Sequence, residues 1–280
     1  MIKITNFIMM KYLLFCIALL FSNYIPCQDL LGLDFQSNFF QKWEEFTDTN
    51  TWDNNDRLYN VANPRVYYYK AKKNMTNKAV VICPGGGFRF LAINQEGKEL
   101  AEKLSNNGIN AFVFYYRTQQ ISKTKLNEKY EVQREKLLLQ ATEDLHNVIV
   151  HLRKNSEKYN INTDKIGLIG FSAGGSLAIE TTLNSKNFNK PNYLATIYSG
   201  RWTSKVKKSP SNTPLFVSCA KDDPLDLYEV SIELSELWKS SGEEVELLIY
   251  DEGGHGYGMN KKGLAVDGWS DELINWILNL

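Results

Sequence analysis

Short, wholly apolar runs alternate along the chain with longer stretches in which apolar residues recur every three or four positions. The β-branched and aromatic runs predict strands over 65–69, 79–83, 110–115, 165–171, 193–198, 215–219 and 245–250. The three- and four-residue periodicity predicts helices over 96–106, 136–154, 173–183, 227–240 and 270–278. Within the second helix Leu138, Ala141, Leu145, Val148, Ile149 and Leu152 line up as one apolar face. Strands that are apolar throughout and separated by helices belong to a mostly parallel sheet covered on both faces, so the expected class is α/β. No repeat, low-complexity tract or Pro/Gly/Ser-rich linker interrupts the pattern, which leaves one domain.

The first residues break this alternation. An apolar run over 10–21 stands behind Lys3 and Lys11 with no acid nearby, the layout of a secretory signal peptide. The expectation is a signal segment at 1–27, removed after Cys27, and a single domain over 28–280. The run is shorter than the roughly 20 residues that a spanning helix needs, so no membrane association is expected after cleavage, and the mature protein is expected to be secreted or periplasmic. The 280-residue chain carries 32 basic and 32 acidic residues. Subtracting the segment removes two lysines and no acid, leaving 30 against 32 and a charge of −2. Such a balance offers no field for phosphate backbones, and nucleic acid is excluded as a partner. The remaining cysteines, Cys83 and Cys219, each end an apolar strand run. An exported pair invites a disulfide if the two strands can touch.

In parallel sheets the working site lies outside the carboxyl ends of the strands. Four such ends carry unusual residues: Pro84-Gly85-Gly86-Gly87, Gly170-Phe171-Ser172-Ala173-Gly174, Lys221-Asp222-Asp223-Pro224 and Gly253-Gly254-His255-Gly256. The second matches a nucleophile elbow, a tight strand-to-helix turn that presents Ser172. A serine hydroxyl needs a base, and the chain has three histidines. His146 and His151 sit off the apolar stripe of the 136–154 helix and read as surface residues. His255, flanked by glycines at a strand end, is the candidate base. A carboxylate must orient it, and both Asp222 and Asp223 qualify. Asp223 is preferred because it directly precedes Pro224-Leu225, whereas Asp222 is better placed to bond loop backbone. The order Ser, Asp, His is that of the α/β-hydrolase topology. Backbone amides of Gly86, Gly87 and Ala173 are the candidate oxyanion donors. No His-Glu-x-x-His or other metal pattern occurs, and this chemistry requires neither metal nor organic cofactor.

The pieces Pro84-Gly-Gly-Gly-Phe-Arg-Phe-Leu-Ala92, Phe112-Val-Phe-Tyr-Tyr-Arg117, Ile166-Gly-Leu-Ile-Gly-Phe-Ser-Ala-Gly-Gly175 and Gly253-Gly-His-Gly-Tyr257 resemble the α/β-hydrolase superfamily. More narrowly, they resemble its small bacterial esterases of the acetyl xylan esterase and feruloyl/acetyl esterase type. That resemblance covers about 58–280. It implies a single α/β-hydrolase domain and a serine esterase with Ser172, Asp223 and His255 as triad and Gly86, Gly87 and Ala173 around the oxyanion. The implied partner is an acylated carbohydrate or other small ester. Pro84 stands where lipase-like relatives carry the histidine of a His-Gly-Gly-Gly motif, and 119–130 is lysine-rich where relatives carry a proline-containing cap. The superfamily's strand order also implies that the Cys83 and Cys219 strands lie apart, leaving both thiols free. Phe88, Phe90, Tyr116, Trp202 and Tyr257 fall near the expected mouth, as sugar platforms or as core. Arg89 and Arg117 stand there as substrate contacts or loop clamps. Two rivals share this logic: a serine peptidase of the prolyl-oligopeptidase type, and a catalytically silent hydrolase-fold binding protein.

Overall fold

The apolar runs pair side by side into one twisted sheet, and the periodic segments cover its two faces. The computed structural model describes residues 28–29, 33, 42–50, 55–73, 75–126 and 132–280; the expected signal segment lies outside them, as does part of the 119–130 stretch. In chain order the strands are β1 (Gln28–Asp29), β2 (Phe46–Asn50), β3 (Asn55–Tyr59), β4 (Arg65–Tyr69), β5 (Ala79–Cys83), β6 (Phe90–Ala92), β7 (Asn110–Tyr115), β8 (Ile166–Phe171), β9 (Tyr193–Ile197), β10 (Leu215–Ala220) and β11 (Val245–Tyr250). The helices are α1 (Glu99–Asn106), α2 (Arg134–Lys154), α3 (Ser156–Tyr159), α4 (Ser172–Leu183), α5 (Leu227–Ser240) and α6 (Trp269–Asn279).

The main sheet runs β1-β4-β7-β5-β8-β9-β10-β11. From β7 to β11 every pairing is parallel, while β1 and β4 are antiparallel at one edge. The central strands β5, β8, β9 and β10 are buried along their whole length, which is why their sequences do not alternate. Leu138, Leu145 and Leu152 of α2, Leu177 of α4 and Trp238 of α5 pack one face. Leu100 and Leu104 of α1 and Leu273 and Ile277 of α6 pack the other. Lys78 ties α6 down, its ammonium donating to the carbonyls of Ile277 and Leu278 at 2.6 and 2.8 Å. These lengths suit the helix's orphan C-terminal carbonyls.

A second sheet, β2-β3-β6, was not visible in the hydrophobic pattern. Its first strand, Phe-Thr-Asp-Thr-Asn, has three exposed polar residues, and its third pairs Phe90–Ala92 with Arg57–Tyr59 across more than thirty residues. The expected helix at 96–106 also begins differently. A π-helical turn, Asn94–Lys98, precedes α1 and buries Gln95 and Glu96.

Between the strands of Cys83 and Cys219 stand β8 and β9. Three strand spacings amount to about 14 Å, well beyond the separation a disulfide spans. Both cysteines are free and buried, and desolvation pushes the Cys83 thiol well above its ordinary range and raises that of Cys219. Arg117 is a clamp: its guanidinium holds the Asp144 carboxylate at 2.8 Å and the Ala62 carbonyl at 3.2 Å, with both side chains buried. The two helical histidines are not plain surface residues. His146 is half-buried against the Thr181 carbonyl at 2.9 Å, and His151 reaches the Tyr159 hydroxyl at 3.3 Å. Both lie where α2 meets neighbouring helices rather than on its open side.

Candidate active site

The centre of the site is set by β8 running straight into α4. Phe171 is still extended (φ −106°, ψ 132°), yet Ser172 has φ +48°, a left-handed conformation that non-glycine residues rarely adopt. The turn is sharp because the helix start lies almost on the end of β5. A Cβ on Gly174 would fall 2.1 Å from the Cys83 carbonyl oxygen and 2.4 Å from that of Pro84, so only glycine permits this approach. Ser172 Oγ is thereby lifted clear of the sheet. Its backbone carbonyl accepts from Gly200 N–H at 2.8 Å, which fixes the loop after β9 beside it.

Two further strand ends bring their side chains to this hydroxyl. His255, in the loop after β11, places Nε2 3.0 Å from Ser172 Oγ. Its Nδ1 lies 2.8 Å from Asp223 Oδ2. The Asp223 side chain is fully enclosed, while that of His255 is 22% exposed. The other Asp223 oxygen accepts from Leu225 N–H at 2.8 Å, so the carboxylate is held at both ends. Asp222 points elsewhere: exposed, it accepts from Gly254 N–H at 2.7 Å, and that hydrogen bond is the main cause of its lowered pKa. Of the two aspartates left open by the chain order, one orients the imidazole and the other pins the loop that carries it.

The fourth strand end, after β5, makes a tight loop against Ser172. The Gly86 carbonyl accepts from Arg89 N–H and Phe90 N–H at 3.0 and 3.3 Å. Gly86 has φ +129°, and a Cβ there would sit 2.0 Å from the Phe90 carbonyl oxygen. Phe88 also has a positive φ of 59°, held by full burial and by an edge contact with Tyr116. Among the described residues, the amides of Gly86, Gly87 and Ala173 donate to no protein group. Ala173 stands at the N-terminus of α4, where the helix's first amides are left unpaired.

The aromatics of the expected mouth divide. Phe88, Tyr116 and Tyr257 are core: the Tyr116 hydroxyl donates to the Pro84 carbonyl at 2.6 Å, and the Tyr257 hydroxyl meets Ser218 Oγ at 2.7 Å. Only Phe90 and Trp202 are partly open to solvent. Arg89 is exposed and reaches the Leu126 carbonyl at 3.5 Å. Two residues near the site, Glu96 and Tyr198, were missed. Glu96 reads as an ordinary acid in a helix's first turn and Tyr198 as a strand end, and neither pattern signals that both are buried. The Tyr198 ring stands edge-on to His255 at 4.9 Å. Burial, with Glu96 alongside, pushes the Tyr198 phenol well above its ordinary range.

A doubly covered, mostly parallel sheet with serine, aspartate and histidine at the carboxyl ends of β8, β10 and β11 is the α/β-hydrolase architecture. Residues 66–209, just over half the chain, match the BD-FAE family model, and the chain belongs to that family. The match takes in the glycine loop and the elbow and stops before Asp223 and His255. An acetylxylan esterase of Xylanibacter ruminicola is 24% identical over 239 residues, 74% of this chain and 47% of its own length. Endo-1,4-beta-xylanase B of Butyrivibrio fibrisolvens is 30% identical over 151 residues, 51% of this chain and 22% of its own. The chain thus spans about half of one relative and a fifth of the other. Among solved structures, an acetyl ester-xyloside bifunctional hydrolase from Caldicellulosiruptor lactoaceticus superposes with a TM-score of 0.60 at 23% identity, covering 77% of this chain and 88% of that one. The α/β hydrolase MGS-M1 from a Medee basin deep-sea metagenome gives 0.59 at 25% identity, covering 86% and 100%.

Proposed function

We propose that the protein is a serine carboxylic ester hydrolase that removes acetyl or other small acyl groups from a xylan-like polysaccharide of plants or algae. The observation that carries this reading is the unbroken line from Ser172 Oγ through His255 to Asp223, at 3.0 and 2.8 Å. His255 Nε2 takes the serine proton as Oγ attacks the ester carbonyl. Asp223 holds the ring in the tautomer with hydrogen on Nδ1 and balances the imidazolium charge as it forms. The carbonyl oxygen, now anionic, is received by the unpartnered amides of Gly86, Gly87 and Ala173, which need no reorganisation to accept it. The proton returns to the departing alcohol, leaving an acyl-serine that water cleaves by the same steps in reverse order.

The carbohydrate reading is supported by the acetylxylan esterase and the endo-1,4-beta-xylanase B among the relatives. Export is part of the proposal, on the strength of the basic and apolar first residues. Hydrolysis of 4-nitrophenyl acetate by the wild type and by Ser172→Ala tests the mechanism, and equal rates would overturn it. Comparing acetylated xylo-oligosaccharide with Xaa-Pro anilides tests the substrate class. Preferential anilide cleavage would replace the esterase reading with a peptidase.

A further inference from the structure

One buried carboxylate outside the serine, histidine and aspartate line touches both halves of the site. Glu96, in the π turn Asn94–Lys98, is 4% exposed. One of its oxygens accepts from Gly85 N–H at 2.7 Å and the other from the Tyr198 hydroxyl at 2.8 Å. The Tyr198 oxygen in turn accepts from Gly258 N–H at 3.1 Å, in the loop that carries His255. The adjacent Gln95 reaches the same loop, its carbonyl accepting from Met259 N–H at 3.2 Å and its side-chain amide donating to the Gly256 carbonyl at 3.5 Å. A Cβ built on Gly85 would lie 2.6 Å from Glu96 Oε2 and 3.0 Å from Ser172 Cβ, so carboxylate, glycine loop and nucleophile are packed in contact.

We propose that Glu96 is a positioning residue that holds the oxyanion loop and the His255 loop in register about Ser172. The inference rests on the ester-hydrolase reading above. Burying a carboxylate is costly unless its oxygens are satisfied, and here one of them is spent on the amide directly before Gly86. By fixing the Gly85 peptide, Glu96 sets the direction in which the next two amides point. Through Tyr198 and Gly258 the same side chain restrains the loop of the base. A π turn inserted into a helix at this place is the local distortion that directs Glu96 inward, and such turns are frequent at functional sites.

Glu96→Leu tests this, because a hydrocarbon side chain of similar size accepts from neither Gly85 N–H nor the Tyr198 hydroxyl. With 4-nitrophenyl acetate, kcat is expected to fall roughly 30- to 100-fold while KM stays within about twofold, since a displaced oxyanion donor acts mainly in the transition state. Hydrogen–deuterium exchange is expected to quicken in segments 84–92 and 253–260 and to stay unchanged in 215–220. Tyr198→Phe keeps the Gly85 bond, so exchange is expected to quicken only in 253–260, with a smaller fall in kcat of about tenfold. A folded Glu96→Leu protein with kcat within threefold of wild type, or with unaltered exchange in both segments, overturns the proposal. If Glu96→Leu does not fold, unchanged kcat and exchange in Tyr198→Phe overturn it instead. Turnover that survives in Ser172→Ala would overturn the esterase reading, and the exchange data would then decide the tie between the loops by themselves.

Discussion

Replacing each of the two adjacent aspartates with asparagine separates a residue that orients the His255 ring from one that shapes its loop. Asp223 accepts from two donors, His255 Nδ1–H and Leu225 N–H, each at 2.8 Å, in a fully enclosed pocket. An asparagine offers one acceptor oxygen and one NH2 group. If the oxygen faces His255, the NH2 confronts Leu225 N–H, and two buried donors are left facing each other at a cost of about 1–3 kcal/mol. If it faces Leu225, the NH2 confronts Nδ1, which must give up its hydrogen. The ring then carries the proton on Nε2, 3.0 Å from Ser172 Oγ, and cannot act as a base. The second arrangement is therefore favoured, which depletes the productive tautomer by about 5- to 150-fold. Loss of the charge that balances the imidazolium adds to this, for a total of about 10⁴-fold in kcat, the size seen for this substitution in a serine protease triad. Asp223→Asn is thus expected to lose about 5.5 kcal/mol of transition-state stabilisation. Asp222→Asn keeps an acceptor for Gly254 N–H and loses only an exposed charge, and it is expected to stay within about fivefold of wild type. Steady-state hydrolysis of 4-nitrophenyl acetate, with circular dichroism to show that both variants fold, measures the pair. A folded Asp223→Asn enzyme within tenfold of wild type, or an equal loss in Asp222→Asn, would refute the assignment.

Other consequences are open to direct measurement. Gly174→Ala must push α4 away from two backbone carbonyls that cannot yield, and a destabilisation of about 1–3 kcal/mol is expected in urea unfolding; an unchanged midpoint would contradict the close approach. Cys83 and Cys219 are expected to resist iodoacetamide in the native protein and to be alkylated fully in denaturant without prior reduction, whereas a reduction-dependent mass shift would mean a disulfide. Burial lowers the pKa of both His146 and His151 from 6.5, so the unfolded chain binds more protons below that pH. Stability is accordingly present above about pH 6.5 and lost as the pH falls through the lower folded values, and a His146→Gln, His151→Gln protein is expected to show a shallower decline. Equal slopes between pH 7.5 and 5 would exclude these two residues as the cause.

The residues that enter the main sheet were legible because burial on both faces demands uninterrupted apolar runs. Strands at 79–83 and 110–115 lie where those runs stand, while the half-buried strands at 65–69 and 245–250 were marked by their β-branched and aromatic residues. The loops at their ends were legible for a related reason: a run of glycines, or serine between glycines, makes no sense as core and stands out against it. The small β2-β3-β6 sheet was not legible, because Thr47, Asp48 and Thr49 face solvent and its pairing joins distant segments. The histidines of α2 were misjudged for the opposite reason. Helical periodicity identifies the main apolar stripe but not the secondary contacts that neighbouring helices make on its flanks.

Composition, periodicity and the four loop motifs by themselves determined an α/β fold, a candidate nucleophile, a candidate base and a choice between two carboxylates. Those features are local, set by which residues must be buried and which must turn, and a linear chain displays them. Only the tertiary structure decided that Asp223 rather than Asp222 reaches the imidazole, that Arg117, Tyr116 and Tyr257 are core rather than mouth, and that Glu96 joins two loops. Each of these depends on direction and enclosure across ten or more intervening residues, and sequence spacing carries neither.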